Sequence, residues 1–457
     1  MWSARSLVLS SFTVVGAALL HASSAQAFCG FFVAQADSSL FNQASRVVIA
    51  HDQGKTVLTM VSDYRGEPKS FALVVPVPIV LEKELVRVVN MGVVDRVDAF
   101  TAPRLAEYFD ENPCDQRRFE RKLSRSGAVP SAVPEMEAPR KKAADLGVTI
   151  EATYTVGEYD IVILSAKQSD GLETYLRQEK YNIPKGASRA LQPYIRSGLK
   201  FFVARVNLKE HANSGFQSLR PLQFAYPDKR FMLPVRLGLL NADGDQDLIA
   251  YVITPKHRVE VANYRTPKIP SDIDVPTFIK QDFKNFYRDM FASQVRKENG
   301  RAVFTEYAWD MSWCDPCAAD PLSGDELRKL GVWWAAKGQS SGGAQQAFVT
   351  RLHARYNAQT FPEDLMLKVT QDSSNFQGRY VMRHPYGGEE WCEAVEPYLA
   401  AVKQRRNQEV VNLARLTGWA PNTIWKKMHP LPEPKRPKPK DPEQGWLDQM
   451  KGHFQDD

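Results

Sequence analysis

Trp313-Cys314-Asp315-Pro316-Cys317 carries the sharpest chemistry in the chain. It resembles the Trp-Cys-x-Pro-Cys of thioredoxin-like oxidoreductases, where the first thiol sits at a helix N-terminus and ionises to a nucleophilic thiolate. That use needs a helix beginning at the motif. Here Ala318-Ala319-Asp320-Pro321 follows, and Pro321 disfavours helix at Asp320. The next helix start is predicted only at Ser323-Gly324-Asp325-Glu326-Leu327. A structural disulfide or turn brace is therefore the leading reading, with thiol–disulfide exchange through Cys314 and Cys317 as the alternative. A third reading is zinc, with His384 and Cys392 completing a Cys3His set. The second half of that set, His384-x7-Cys392, is looser than usual, and exported proteins more often oxidise paired thiols. No metal or other cofactor is expected.

Two further cysteines, Cys29 and Cys114, lie in the β-rich first part of the chain, and Cys114 falls in a turn at Asn112-Pro113-Cys114-Asp115. We expect these two to pair. Five cysteines cannot all pair within one chain, so Cys392 is left free or takes one of Cys314 and Cys317.

Asn241-Ala242-Asp243-Gly244-Asp245-Gln246-Asp247 offers clustered oxygens to a hard cation. Aligning Gly244 with the glycine of an EF-hand puts Leu239 and Ala250 at ligand positions that should be acidic, so a hairpin turn is expected instead. His51, His257, His353 and His384 fit no catalytic motif and read as structural or surface histidines. Six Lys and Arg between Lys426 and Lys440 (Lys426, Lys427, Lys435, Arg436, Lys438, Lys440) face one acid, Glu433. They suit contact with an acidic envelope surface, or simply a solvated tail.

The elements that must position these residues are legible in part. Residues 1–27 read as a secretory signal: Arg5, an uncharged apolar stretch from Leu7 to Leu20, and Ala25-Gln26-Ala27 before the cleavage point. Phe28 before Cys29 is too bulky for a lipoprotein signal. Periplasmic or extracellular export follows as an expectation. No later segment is long and apolar enough to span a bilayer; the most apolar, Phe71 to Leu81, is broken by Pro76 and Pro78.

Hairpins are predicted at 45–63 and 148–164, and a buried strand at 71–75 closed by Pro76. Further strands are expected at 200–206, 232–240, 248–254, 258–264, 302–309, 347–356 and 379–383. Short helices are expected at 171–180 and 188–196, and a long one from about Glu396 to Leu416. Ile279, Phe283, Phe286, Tyr287, Met290 and Phe291 recur at helical spacing, a core-facing stripe. Residues 123–145, rich in Ser, Pro and basic residues, read as a mobile surface loop. The expected organisation is α+β: signal 1–27, a β-rich region 28–265, an α+β region 266–418 packed against it, and an extended Lys/Pro-rich tail 419–457.

Composition adds exclusions. Of 457 residues, 43% are apolar and 25% charged, ordinary for a globular protein. A net charge of +6 is too small to argue for nucleic acid. Cys29-Gly30-Phe31-Phe32-Val33, Phe71 to Pro78, Thr101-Ala102-Pro103-Arg104-Leu105, and Glu306-Tyr307-Ala308-Trp309 with Cys314-Asp315-Pro316-Cys317 together resemble one bacterial family. It consists of exported proteins known only as a domain of unknown function. The resemblance covers roughly residues 28–400. It implies export and one large family domain, and carries no reaction, substrate or catalytic residue. With no complete catalytic signature, a non-catalytic binding or scaffold protein of the envelope is the leading expectation.

Overall fold

The computed structural model describes residues 31–34, 41–42, 45–61, 64–65, 71–115, 148–312, 320–338, 346–431 and 451, less residues 180, 182, 185, 215–218, 229 and 242–243. Residues 1–27, expected to be a secretory signal, residues 123–145, expected to be a mobile loop, and Cys29, Cys314 and Cys317 lie outside them.

The protein is α+β. Its central sheet runs β20 (Phe376–Gln377), β17 (Val303–Asp310), β18 (Phe348–Tyr356), β14 (Gln246–Thr254), β3 (Ser45–Asp52), β4 (Lys55–Val61), β12 (Leu222–Pro227), β7 (Val86–Val88). Only the β14–β3 pair is parallel. A second, antiparallel sheet runs β1 (Phe31–Ala34), β6 (Phe71–Val77), β11 (Lys200–Val206), β10 (Tyr159–Ala166), β9 (Val148–Val156). Smaller sheets join β16 (Ile273–Asp274), β21 (Arg379–His384) and β8 (Arg104–Phe109), then β13 (Met232–Leu233), β19 (Leu365–Val369) and β15 (Val259–Val261), and β2 (Phe41–Asn42) with β5 (Tyr64–Arg65).

The two large sheets face one another, and each carries helices on its outer face. Strand β3 shows why. Side chains alternate along a strand, so Val47 and Ile49 enter the core between the sheets, while Val48 and Ala50 enter the core beneath the helices. A run apolar at every position is what burial on both faces demands. Over the second sheet lie α2 (Ser169–Gln178) and α3 (Ala187–Arg196), packing Leu172, Leu176, Leu191 and Tyr194 on Phe201 and Val203. Over the central sheet lie α1 (Met91–Thr101), α5 (Ile279–Lys297), α6 (Gly324–Lys329) and α7 (Val395–Thr417). Two short helices complete the set, α4 (Leu208–Ser214) and α8 (Pro421–Lys427).

Most predicted elements are present, including the two hairpins, α5 with its buried Phe286, Met290 and Phe291, and α7 ending before Gly418. Four differ. Strand β6 continues through Pro76 to Val77: β1 pairs only as far as Val74, so beyond it one edge carries no described partner and the missing N–H is tolerated. Residues 232–240 form only the two-residue β13 and then a 3-10 turn over Arg236–Asn241. Gly244 therefore leads from that turn into β14 and closes no hairpin. The 419–457 stretch does not begin extended: Pro421 occupies the first turn of α8, where its absent N–H costs nothing, and Ile424 is fully buried. The 265/266 division is also crossed by the central sheet, in which β14 pairs directly with β18.

Candidate functional site

Cys114 is bonded to Cys392, not to Cys29, and the bridge spans 278 residues. Its cause is the parallel pairing of β8 with β21, in register from Arg104/Arg379 to Phe109/His384. Parallel strands bring their C-terminal ends together, so the chain leaving β8 meets the chain leaving β21. Around the bridge, Asn112 donates to Glu390. Asp110 accepts from Tyr398 (2.8 Å) and from both terminal nitrogens of Arg405 (3.1 and 2.7 Å). With Cys392 in a disulfide, and His384 Nε2 2.9 Å from Glu107 and its ring stacked on Phe109, the Cys3His set does not assemble. No metal-holding group of His, Cys, Asp and Glu occurs among the described residues.

The other histidines serve separate settings. His51 stacks on Phe231 at 3.6 Å and its Nδ1 meets Thr56 Oγ1 at 2.9 Å. Burial pushes it down to about 4 against the opposing pull of Asp228. His257 accepts from Thr254 through its carbonyl. His353 belongs to a buried ionic spine that the sequence motifs did not reveal. Glu306 is wholly buried and accepts from Arg351 Nε (2.6 Å), His353 Nδ1 (2.5 Å) and the Tyr287 hydroxyl. Arg351 reaches on to Asp98 Oδ1 (2.5 Å), which also accepts from Tyr251 (2.6 Å).

A β-bulge makes this spine possible. Thr305 pairs with Leu352 and Tyr307 with Arg351, leaving Glu306 as the extra residue. Gly378 N–H holds the bulged carbonyl at 2.8 Å, and a Cβ on Gly378 would lie 2.5 Å from Ile269 and 3.2 Å from that oxygen. Phe291 stacks on His353 at 3.7 Å. A substrate would have to displace α5 to reach Glu306, so this is a brace between β17, β18, α1 and α5.

The basic residues divide. Lys427 is held to the body, 2.7 Å from Asp282 and over the Trp419 ring at 5.1 Å. Lys426 is its neighbour on α8, and Lys435, Arg436, Lys438 and Lys440 lie outside the described residues. Among the described residues no helix is long and apolar enough to cross a membrane.

The candidate binding site is a cavity of about 250 Å3 at the β7 edge of the central sheet. Its apolar walls include Val57, Ala225 and Trp333, and its polar ones Glu84, Arg87, Gln223 and Arg328. The two arginines come from different elements. Arg87, on β7, donates to Gln223 Oε1 (2.5 Å) and to the carbonyls of Arg328 (3.1 Å) and Lys329 (3.4 Å) that end α6. Arg328 donates to the carbonyls of Trp333 and Ala335, both at 3.1 Å. Neither has a carboxylate partner among the described residues; Glu84 lines the same cavity and pairs with neither. Burial, and then the like charge of Arg328, hold the Arg87 guanidinium below its ordinary range.

Helix α6 is set by a capping box, Ser323 with Glu326, as its sequence predicts. Gly331 then turns the chain at φ +95°; a Cβ there would fall 2.3 Å from Val57 Cγ1, so only glycine lets this wall close on β4.

Fold and cavity together define an α+β protein built on two large facing sheets, with an arginine-lined pocket at the edge of its central sheet. The chain belongs to the family described as "Uncharacterized protein conserved in bacteria (DUF2330)", which matches residues 23–368. No curated protein and no solved structure matches the chain.

Proposed function

We propose an exported, non-catalytic binding protein whose ligand places an anionic group between Arg87 and Arg328 and an apolar body against Trp333 and Val57. The observation that carries this reading is the pair of guanidiniums sharing one cavity with no carboxylate bonded to either among the described residues. Like charges held together repel, and a ligand oxyanion would relieve that repulsion through charge-assisted hydrogen bonds. Every residue lining this cavity falls within the 23–368 span that defines the family. Export is supported by the leader-like residues 1–27 and by the Cys114–Cys392 bridge, which suits an oxidising compartment.

Two measurements test the reading. Fractionation of cells expressing the full chain is expected to place it outside the cytoplasm, and deletion of residues 2–27 to retain it inside. Thermal shifts against matched acid and amide pairs, phenylacetate with phenylacetamide and hexanoate with hexanamide, are expected to show stabilisation by the acids alone. Equal shifts from acid and amide would remove the role given to the guanidiniums.

A further inference from the structure

A second cavity, of about 170 Å3, opens where β21, α7 and residues 428–431 meet. Arg383, Arg405, Arg406 and Glu409 line it. Glu409 is only 3% exposed. Its nearest cation is Arg405 Nε, 3.8 Å away, and that N–H is itself buried without a hydrogen-bond partner. A buried donor left unbonded is costly. Arg405 and Glu409 both line the cavity.

The charges around Glu409 come from several elements. On α7 itself are Arg405 and Arg406. Asp274 faces it from β16, Asp110 from the chain leaving β8, and Arg383 and His429 from the cavity walls. Helices α5 and α8 also pack near α7, but their Asp282 and Lys427 pair with each other. Arg405 binds Asp110 through its terminal nitrogens, and Arg383 binds Asp274 at 3.1 Å. Arg406 donates to the His429 carbonyl at 2.5 Å and has no carboxylate partner among the described residues. The three guanidiniums are thus balanced when Glu409 is ionised and exceed the acids by one when it is neutral. Burial pushes Glu409 up to about 7, with Asp274 adding to the rise and Arg405 opposing it.

We propose that this cavity is a second binding site, for a tetrahedral oxyanion held by Arg405 Nε and Arg406, and that it opens to the anion when Glu409 carries its proton. The site is independent of the Arg87–Arg328 pocket. Arg383, Arg405, Arg406 and Glu409 all lie beyond the family-matched span, so it would be an addition particular to chains with this C-terminal part. Sulfate and phosphate groups share the required chemistry, whether as free ions or as esters in lipid headgroups.

Sulfate is the probe of choice, because its own charge does not change between pH 6 and 8. Calorimetric titration of the whole protein is expected to show affinity about tenfold tighter at pH 6 than at pH 8, the change in the neutral fraction of a carboxyl titrating near 7. Glu409→Gln is expected to bind sulfate equally at both pH values, near the wild-type affinity at pH 6. Arg406→Gln is expected to lose binding while keeping the wild-type circular dichroism spectrum. Co-sedimentation with phosphatidylglycerol vesicles, dependent on Arg406, would place the anion in a headgroup; sulfate binding without vesicle binding would place it in solution. Sulfate binding that ignores Arg406, or a pH slope that survives in Glu409→Gln, would overturn the proposal, as would no sulfate binding at pH 6.

Discussion

Glu306→Ala is expected to destabilise the protein by about 3–5 kcal/mol at pH 7, among the largest effects available to one side chain here. The reason is what it leaves behind. Arg351 is almost wholly buried and would keep only Asp98 and the Thr101 hydroxyl as partners, while Tyr287 and the Nδ1–H of His353 would lose their shared acceptor. Glu306→Gln keeps an acceptor but not the charge, and its cost should be smaller. Burial pushes the Glu306 carboxyl up, but His353 and Arg351, with hydrogen bonds from His353 and Tyr287, outweigh it and bring the group down to about 2.

A depressed carboxyl contributes stability that is fully present above its ordinary value of 4.5 and is lost as pH falls toward 2. Urea denaturation from pH 7 to pH 2 should show that acid limb in the wild type and a flatter one in Glu306→Gln. A cost below about 1 kcal/mol for Glu306→Ala would show that the spine contributes little.

Cys392→Ser is expected to cost about 2–5 kcal/mol. The bridge closes 278 residues, and closing so long a loop removes much of the freedom of the unfolded chain. The loss should also have an address. Hydrogen exchange should quicken first in β8, β21 and the N-terminal half of α7, where the bridge, Asp110, Tyr398 and Arg405 form one cluster. Cys114→Ser should reproduce both effects, and the double variant should add nothing. Equal stability of the wild type with and without reductant would contradict this.

These contacts also show what a sequence reveals. Hairpin β3–β4, the aromatic stripe of α5 and the span of α7 are legible because their signals are local: a Gly-containing turn between apolar runs, or apolar residues three and four apart. Cys114 with Cys392 was not legible, because the bridge depends on a parallel pairing of two short strands far apart in the chain. The same holds for the cavity. Arg87 and Arg328 are 241 residues apart, and nothing around either marks it as half of a site. Glu306, by contrast, stands in Glu306-Tyr307-Ala308-Trp309, where a charged residue in an otherwise apolar strand is a signal for a buried partner. The failure at 232–240 has a local cause: Val235, Leu237 and Leu239 alternate as a strand would, yet the segment is packed as a 3-10 turn against both sheets.

Arg87 and Arg328 are proposed to bind an anion together. Calorimetric titration of phenylacetate and hexanoate into the wild type, Arg87→Gln, Arg328→Gln and the double variant tests it most directly. The expected result is binding of at least one acid by the wild type, weakened about tenfold or more in each single variant and lost in the double, as removal of a charge-assisted contact implies. Binding that is unchanged in the double variant, or no binding of either acid by the wild type, would contradict it.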